Sequence, residues 1–407
     1  MKHIFFGVAG CLLSIAVYAQ TANDPETVTR KVADYVIGHT SFRLINGKTN
    51  ETYTSVKGLP LSADIKAESP FCKWEYPNGV LTVGMMQTSV VLQDKKYADY
   101  CLRNFDFIFS NLDYFGQLYQ KGEKAEWGPF FGMANLDACG AMSAGLSDVN
   151  ELAGKKVYKD YLERAAAYIS TGQVRLPDGT LCRPIPRNRT LWADDLYMSV
   201  PFLARMGKRT GNKRYFDDAI HQVEQFNKYL YDPATGLFFH CYYDSVGLNG
   251  VARWGRCNGW IAMAQVELLN NLPADHPKRK ELIDLLLRQI VGFARYQDLT
   301  GLWRQVLDRP DSYLETSATA MFVYAVARAV NEGWIPKNYL SIARDGWEGL
   351  CTKITQEGQV EEVCIGTGIN DNIRFYLTRP RRLNDTHALG AVLLAGTEMV
   401  RAAGKKL

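Results

Sequence analysis

Two kinds of apolar segment alternate along this chain, six times over. One kind opens on a basic, tyrosine-bearing start: Asp94-Lys95-Lys96-Tyr97-Ala98-Asp99-Tyr100, Lys155-Lys156-Val157-Tyr158-Lys159-Asp160-Tyr161, and Asn212-Lys213-Arg214-Tyr215-Phe216-Asp217-Asp218-Ala219. Looser versions stand at Pro277-Lys278-Arg279-Lys280-Glu281-Leu282 and Pro336-Lys337-Asn338-Tyr339-Leu340, and a sixth opens near Thr27 and runs through Val32 and Tyr35. Charges gather on one face at helical spacing, so these read as amphipathic helices. The segments between them are apolar nearly all round and rich in small residues: 79–92, 136–146, 192–206, 258–270, 314–330 and 386–403. Helices of that kind belong in an interior. The pair recurs at roughly sixty residues, which signals a solenoid or a closed ring of helical hairpins. An open solenoid would leave its middle helices amphipathic toward a concave face. Six helices that need burial on every side favour closure. The predicted class is all-α, an (α/α)6 toroid of six helical hairpins.

No Pro- or Ser-rich linker interrupts residues 20–407, which are expected to form a single catalytic domain. Residues 1–19 read as a signal peptide: Lys2 supplies positive charge, Ile4 to Val17 an apolar stretch, and Val17-Tyr18-Ala19 a small residue before the expected cleavage. Export to the periplasm or medium follows from that reading. A lipobox-like Val8-Ala9-Gly10-Cys11 is present, but the apolar stretch runs on past Cys11, which argues against a lipoprotein. No later segment is apolar for long enough to span a membrane. Net charge is only +4, with 47 Lys and Arg against 43 Asp and Glu, too balanced for a nucleic-acid partner. Arg183, Arg187 and Arg189 form a local basic run, read either as a solvated loop or as a contact for a small anion. Nine cysteines include no CxxC pair, which argues against a zinc site and against a dense disulfide framework. The eight beyond the leader are expected to be buried small apolar residues.

Polar groups open the inner helices: Asn135-Leu136-Asp137, Trp192-Ala193-Asp194-Asp195, Asn258, Glu315-Thr316-Ser317 and Asp385-Thr386-His387. Each alone is explained by capping. Inner helices of a ring run parallel, so all five starts gather on one rim, where helix N-termini favour an anionic ligand. Asp137 and Asp194 lie one repeat apart and so on neighbouring inner helices. A nearby carboxylate and apolar walls are expected to raise a proton donor's pKa. Trp127, Phe130, Phe131, Trp192, Trp254 and Trp260 are candidates for such walls or for stacking on a sugar, with ordinary core as the alternative. His240 follows the turn Asp232-Pro233-Ala234-Thr235-Gly236 in a loop that reaches the same rim. Arg256, just before Asn258, is placed to clamp a carboxylate, with a surface salt bridge as its alternative.

Along nearly its whole mature length the chain resembles glycoside hydrolase family 105, the unsaturated rhamnogalacturonyl hydrolases. The resemblance rests on Phe71-Cys72-Lys73-Trp74-Glu75-Tyr76, Leu136-Asp137-Ala138-Cys139-Gly140, Trp192-Ala193-Asp194-Asp195-Leu196-Tyr197-Met198, Thr235-Gly236-Leu237 through His240, and Trp254-Gly255-Arg256-Cys257-Asn258-Gly259-Trp260. It continues through Gly301-Leu302-Trp303-Arg304-Gln305-Val306-Leu307-Asp308 and Tyr313-Leu314-Glu315-Thr316-Ser317-Ala318. It implies hydration of the vinyl ether in a 4,5-unsaturated uronic acid at the non-reducing end of lyase-generated oligosaccharides. By the same resemblance, Asp194 protonates C4 and Asp137 tunes it. His240, Arg256, Trp254, Trp192 and His387 contact the acidic sugar, with no metal or cofactor. The chain departs from the family's pattern at Cys257 and after His387, and Arg183 or Arg187 stands near a His-Lys pair of some members. Asp195 competes for the donor role. Alternatives are an unsaturated glucuronyl hydrolase, a direct glycosidase or lyase on the same toroid, and a non-catalytic sugar-binding protein.

Overall fold

Local chemistry starts the helices where the pattern asks for them. Asp24 accepts the Thr27 amide at 2.9 Å and Pro25 occupies the first turn of α1, Pro25–Gly38. Asp385 accepts the His387 amide at 3.2 Å at the start of the last helix, α15, Thr386–Ala402. Between them the computed structural model, which describes residues 23–404, places thirteen further α-helices. The expected leader at 1–19 lies outside the described residues.

Six helices form the inner layer: α2 (Tyr76–Val91), α6 (Gly140–Ala153), α8 (Val200–Thr210), α10 (Gly255–Asn271), α12 (Thr316–Asn331) and α15. Each packs on the next, and α15 packs back on α2, so the ring closes. Six outer helices lie against them: α1 on α15, α3 (Lys96–Ser110) on α2, α7 (Lys156–Ala167) on α6, α9 (Lys213–Leu230) on α8, α11 (Arg279–Ala294) on α10, and α13 (Leu340–Cys351) on α12. The two layers differ as the sequence requires. In α12 nearly every residue from Thr316 to Val330 is buried, whereas α7 buries one stripe, Tyr158, Tyr161, Leu162, Ala165 and Ala166. Three short helices are added in loops: α4 (Leu112–Gln120), α5 (Gly128–Phe131) and α14 (Ile373–Leu377).

Closure brings inner backbones into direct contact. A Cβ on Gly390 of α15 would stand 2.5 Å from the carbonyl carbon of Val80 in α2, and one on Gly79 would stand 2.3 Å from that of Ala141 in α6. Two inner helices start later than the apolar pattern suggests. Turns of 3-10 helix at Leu136–Ala138 and Ala193–Leu196 precede α6 and α8. The cause is a pinch: Gly140 lies so close to Met198 that a Cβ would sit 1.6 Å from its carbonyl oxygen. The fourth inner helix instead starts early, at Gly255, and Asn258 in its first turn holds the Phe238 backbone through bonds of 2.8 and 2.9 Å.

The all-α expectation also overlooked a fringe of short antiparallel strands in the loops that feed the inner helices. Thr190–Trp192 pairs with Cys241–Tyr243, Trp303–Arg304 with Leu314–Glu315, and Val363–Cys364 with Arg381–Arg382. Their two or three residues are too few to show a period-two pattern. At the opposite rim the inner helices end on an ionic network. Arg205 pairs with Asp148 at 2.7 Å and Glu267 at 2.8 Å, and Arg328 and Arg401 share Glu398 at 2.8 Å each. Cations suit the negative ends of helix dipoles.

All eight described cysteines are unpaired, and seven are buried. Among the described residues no helix is long and apolar enough to cross a membrane. Gly390→Ala is expected to destabilise the ring by about 1–3 kcal/mol through overpacking, read as a lower urea midpoint, whereas Gly333→Ala, in an open exposed turn, tests the milder cost of a positive φ.

Candidate active site

The strand pair at Thr190–Trp192 builds the centre of the rim. Trp192 lies opposite Cys241, and the Ala193 amide donates to the His240 carbonyl at 2.9 Å. That register sets Asp194 beside His240, with Nε2 3.0 Å from Oδ2. His240 is fully buried, wedged between Trp254 and Trp192 with ring centroids 4.6 and 5.9 Å away, and its Nδ1 lies 2.9 Å from the Tyr376 hydroxyl. Oδ1 of Asp194 has no hydrogen-bond partner among the described residues. Burial pushes the Asp194 carboxyl up, but the neighbouring His240, which donates a hydrogen bond to it, and the charges of Arg183 and Arg256 outweigh that and hold the group below the usual carboxylate range. The expectation of a raised pKa at this position is therefore corrected for the free protein.

The raised carboxyl is its neighbour. Asp195 is completely buried, and burial together with the charges of Asp137 and Asp194 lifts it to about 6 despite the opposing Arg183. Both Asp195 oxygens are held by Arg183, through Nε at 3.0 Å to each and Nη2 at 2.6 Å to Oδ1. The far side of the same guanidinium grips Asp137 with two bonds of 2.9 Å. One arginine thus separates the two acids, and it also lies over the Trp192 ring at 4.4 Å. Arg183 is 7% exposed, so the solvated-loop reading fails for it, while Arg187 and Arg189 are exposed and Arg187 pairs with Asp371 at 2.6 Å. Only the apolar neighbours Leu181 and Cys182 hinted at the difference.

Arg256 is placed differently from the expected carboxylate clamp. It is fully buried, stacks on Trp254 at 4.7 Å, and donates to the carbonyls of Cys364 at 2.6 Å and Ile365 at 2.7 Å. It anchors the loop beyond Cys364, and its charge reaches Asp194 only through the field. Trp254 and Trp260 are 1% exposed and form walls; Trp192 is half-buried at the surface of the site. Trp127 and Phe130 belong to the core, Phe130 against Trp74 and Trp127 against Phe107 and Phe115. His387 bonds Tyr76 through Nε2 at 2.6 Å and Asp385 through Nδ1; burial and then Arg256 push its pKa down. Asn135, Glu315 and Asp385 cap their helices as expected. Tyr376 was not singled out from the sequence, because its position in a loop helix carries no periodic signal.

A cavity of about 590 Å³ opens beside these groups, lined by Trp74, Glu75, Tyr76, Tyr119, Asp137 and His387. A larger one, about 940 Å³, opens at the opposite rim, but Arg205 and Arg328 there are already matched by acids. Among the described residues no group of three His, Cys, Asp or Glu side chains is arranged to hold a metal ion.

The closed ring of helical hairpins, with carboxylates and tryptophans gathered on one rim, is that of a toroidal carbohydrate enzyme, and the family match makes it a glycoside hydrolase. The chain belongs to Glycosyl Hydrolase Family 88, whose model matches residues 47–403. An unsaturated rhamnogalacturonyl hydrolase of Bacillus subtilis is 29% identical over 239 residues, 57% of this chain and 67% of that protein. An unsaturated 3S-rhamnoglycuronyl hydrolase of Alteromonas is 29% identical over 218 residues, 52% of this chain and 51% of that one. A solved family 105 glycoside hydrolase of C. acetobutylicum superposes with a TM-score of 0.71 at 26% identity, covering 91% of this chain and 98% of its own, in line with the resemblance read from the motifs.

Removing the shared cation tests this arrangement. Arg183→Gln is expected to lower stability by about 3–5 kcal/mol at pH 7, the loss that follows when buried charges lose their partner. The loss should shrink at pH 5. Asp195, already raised to about 6, moves higher still without Arg183 and takes up a proton there, which relieves the uncompensated charge. Urea unfolding at both pH values measures it.

Proposed function

We propose that this enzyme removes 4,5-unsaturated galacturonyl residues from the non-reducing end of lyase-generated rhamnogalacturonan fragments, and so acts in pectin degradation. The observation that carries the reading is the Asp194–His240 pair at 3.0 Å, seated among tryptophans on the rim where the inner helices begin. Support for the substrate comes from the Bacillus subtilis relative named above.

Asp194 is the proton donor in this reading. The free enzyme keeps it ionised; an anionic uronate that binds beside it and displaces water reverses the balance and raises its pKa. Protonated Asp194 then delivers its proton to C4 of the alkene. The positive charge that develops is stabilised by the ring oxygen, and water adds at C5 as Asp194, now a carboxylate, accepts a proton from it. The hemiketal opens and releases the remaining sugar. Asp137 stands next to the cavity and orients the sugar, with Arg183 fixing its carboxylate. Asp195 does not compete for the donor role, because it has no exposed surface and both its oxygens face Arg183. Trp192 and His387 contact the sugar, while Arg256, Trp254 and His240 act from behind them; the expected sugar contact of His240 is corrected, because the ring has no exposed surface and its Nε2 is taken by Asp194. The ordinary two-carboxylate geometry of glycosidases is not needed for hydration.

Export to the periplasm or the medium completes the proposal. It is supported by Lys2, the apolar stretch from Ile4 to Val17 and Ala19 before Gln20.

The reaction removes the ultraviolet absorbance of the conjugated alkene-carboxylate. Asp194→Asn is expected to lower that rate by at least about 10²–10⁴-fold, the usual contribution of a general acid, with an unchanged circular dichroism spectrum. Normal turnover in this variant refutes the assignment. In deuterated water the product should carry deuterium at C4, which direct glycosidic hydrolysis would not place there.

A further inference from the structure

Tyr376 lies in α14, on the excursion between the last outer and last inner helices, and is 1% exposed. Its hydroxyl has two polar neighbours. The Asn370 backbone amide donates to it at 3.1 Å, and Nδ1 of His240 lies 2.9 Å away. A phenol has one proton to donate. The amide can only donate, so the hydroxyl accepts there, and its own proton is free for Nδ1. Were Nδ1 protonated instead, the hydroxyl would accept twice and its proton would be buried without an acceptor, which is unfavourable. Burial raises the phenol's pKa far above its ordinary value, so the group is a phenol. At the opposite ring nitrogen, Oδ2 of ionised Asp194 can only accept, and Nε2 must therefore carry a proton.

We propose that Tyr376 is a positioning residue: its hydroxyl donates to Nδ1 and fixes His240 as the neutral tautomer protonated on Nε2. The inference rests on the reading of Asp194 as proton donor. The fixed Nε2–H occupies Oδ2, so the proton that Asp194 acquires on substrate binding sits on Oδ1, the oxygen without a partner, and leaves from there to C4. A neutral ring that already donates at Nε2 has no free lone pair facing Asp194 and does not take that proton for itself. The order of the chain is Asn370 amide, Tyr376, His240, Asp194, each link supplying one donor to the next acceptor.

The charged and titratable groups around this chain come from several elements. Asp194 and Asp195 lie on the turn before α8, and Asp137 lies on the turn before α6. Arg183 lies on the loop before Thr190, Arg256 and Cys257 on α10, and Cys241 and Tyr243 on the strand that follows His240. Of these, only Asp194 hydrogen-bonds the ring, and Tyr376 is its other partner.

Histidine-labelled protein read by two-bond proton–nitrogen spectra distinguishes the two neutral tautomers and the imidazolium directly. His240→Gln identifies the signal. At pH 7 the wild-type protein is expected to show the neutral Nε2–H pattern for His240. An imidazolium or an Nδ1–H pattern overturns the proposal. Tyr376→Phe is expected to mix the tautomers and to lower kcat by roughly tenfold or more with KM little changed, and to move the pH dependence of kcat. An unchanged spectrum with unchanged kcat in that variant also overturns it. Should Tyr376→Phe fail to fold, the wild-type spectrum decides alone. Absence of turnover on every unsaturated uronide sinks the proposed function but leaves the spectrum to decide the tautomer.

Discussion

Everything in this molecule depends on six apolar helices approaching closely enough to seal a ring. Gly390 against Val80, Gly79 against Ala141 and Gly140 against Met198 mark that closeness, with no room for a side chain between backbones. Sealed in this way, the inner layer buries nearly all of its surface, and the outer helices need only one apolar stripe each. The outer helix between each pair of inner ones makes the inner helices parallel. Their N-termini then share one rim and their C-termini the other, and the two rims acquire opposite electrostatic character. The C-terminal rim answers with arginines matched to acids. The N-terminal rim holds carboxylates, some as caps and some as working groups.

On that rim, the distribution of cations decides what each aspartate can do. Arg183 divides Asp137 from Asp195 and leaves Asp194 outside the pair, facing His240. Asp195 has the pKa expected of an acid at neutral pH but no access to solvent. Asp194 has access but is held ionised until a ligand changes its surroundings. Access and pKa therefore point to different residues in the free protein, and access is the criterion that binding cannot supply.

The layers were legible in the sequence because they rest on long periodic signals, and the starts capped by Asp24, Glu315 and Asp385 because capping is local chemistry. Asp137, Asp194 and His387 were singled out from their places at the inner-helix starts, and His240 from the turn that precedes it. The burial of Arg183 escaped because its partners lie 46 and 12 residues away and only the apolar neighbours Leu181 and Cys182 mark it locally. Arg256 was found, but its direction was misjudged: its carbonyl partners at Cys364 and Ile365 come from more than a hundred residues further on. Tyr376 and the paired strands lie in short loop segments, where only three-dimensional pairing reveals them.

The contact between α15 and α2 has a further consequence, in time rather than space. These helices are separated by about three hundred residues, and the entropic cost of joining them rises with that loop until the intervening hairpins are in place. Successive hairpins can stack as the chain emerges, but the seam between last and first waits for α15. Asp385 and His387 sit at the start of that helix, and Tyr376 just before it. The part of the rim that carries Tyr376, Asp385 and His387 therefore depends on the last seam to close, and a chain that ended before α14 would lack those three groups.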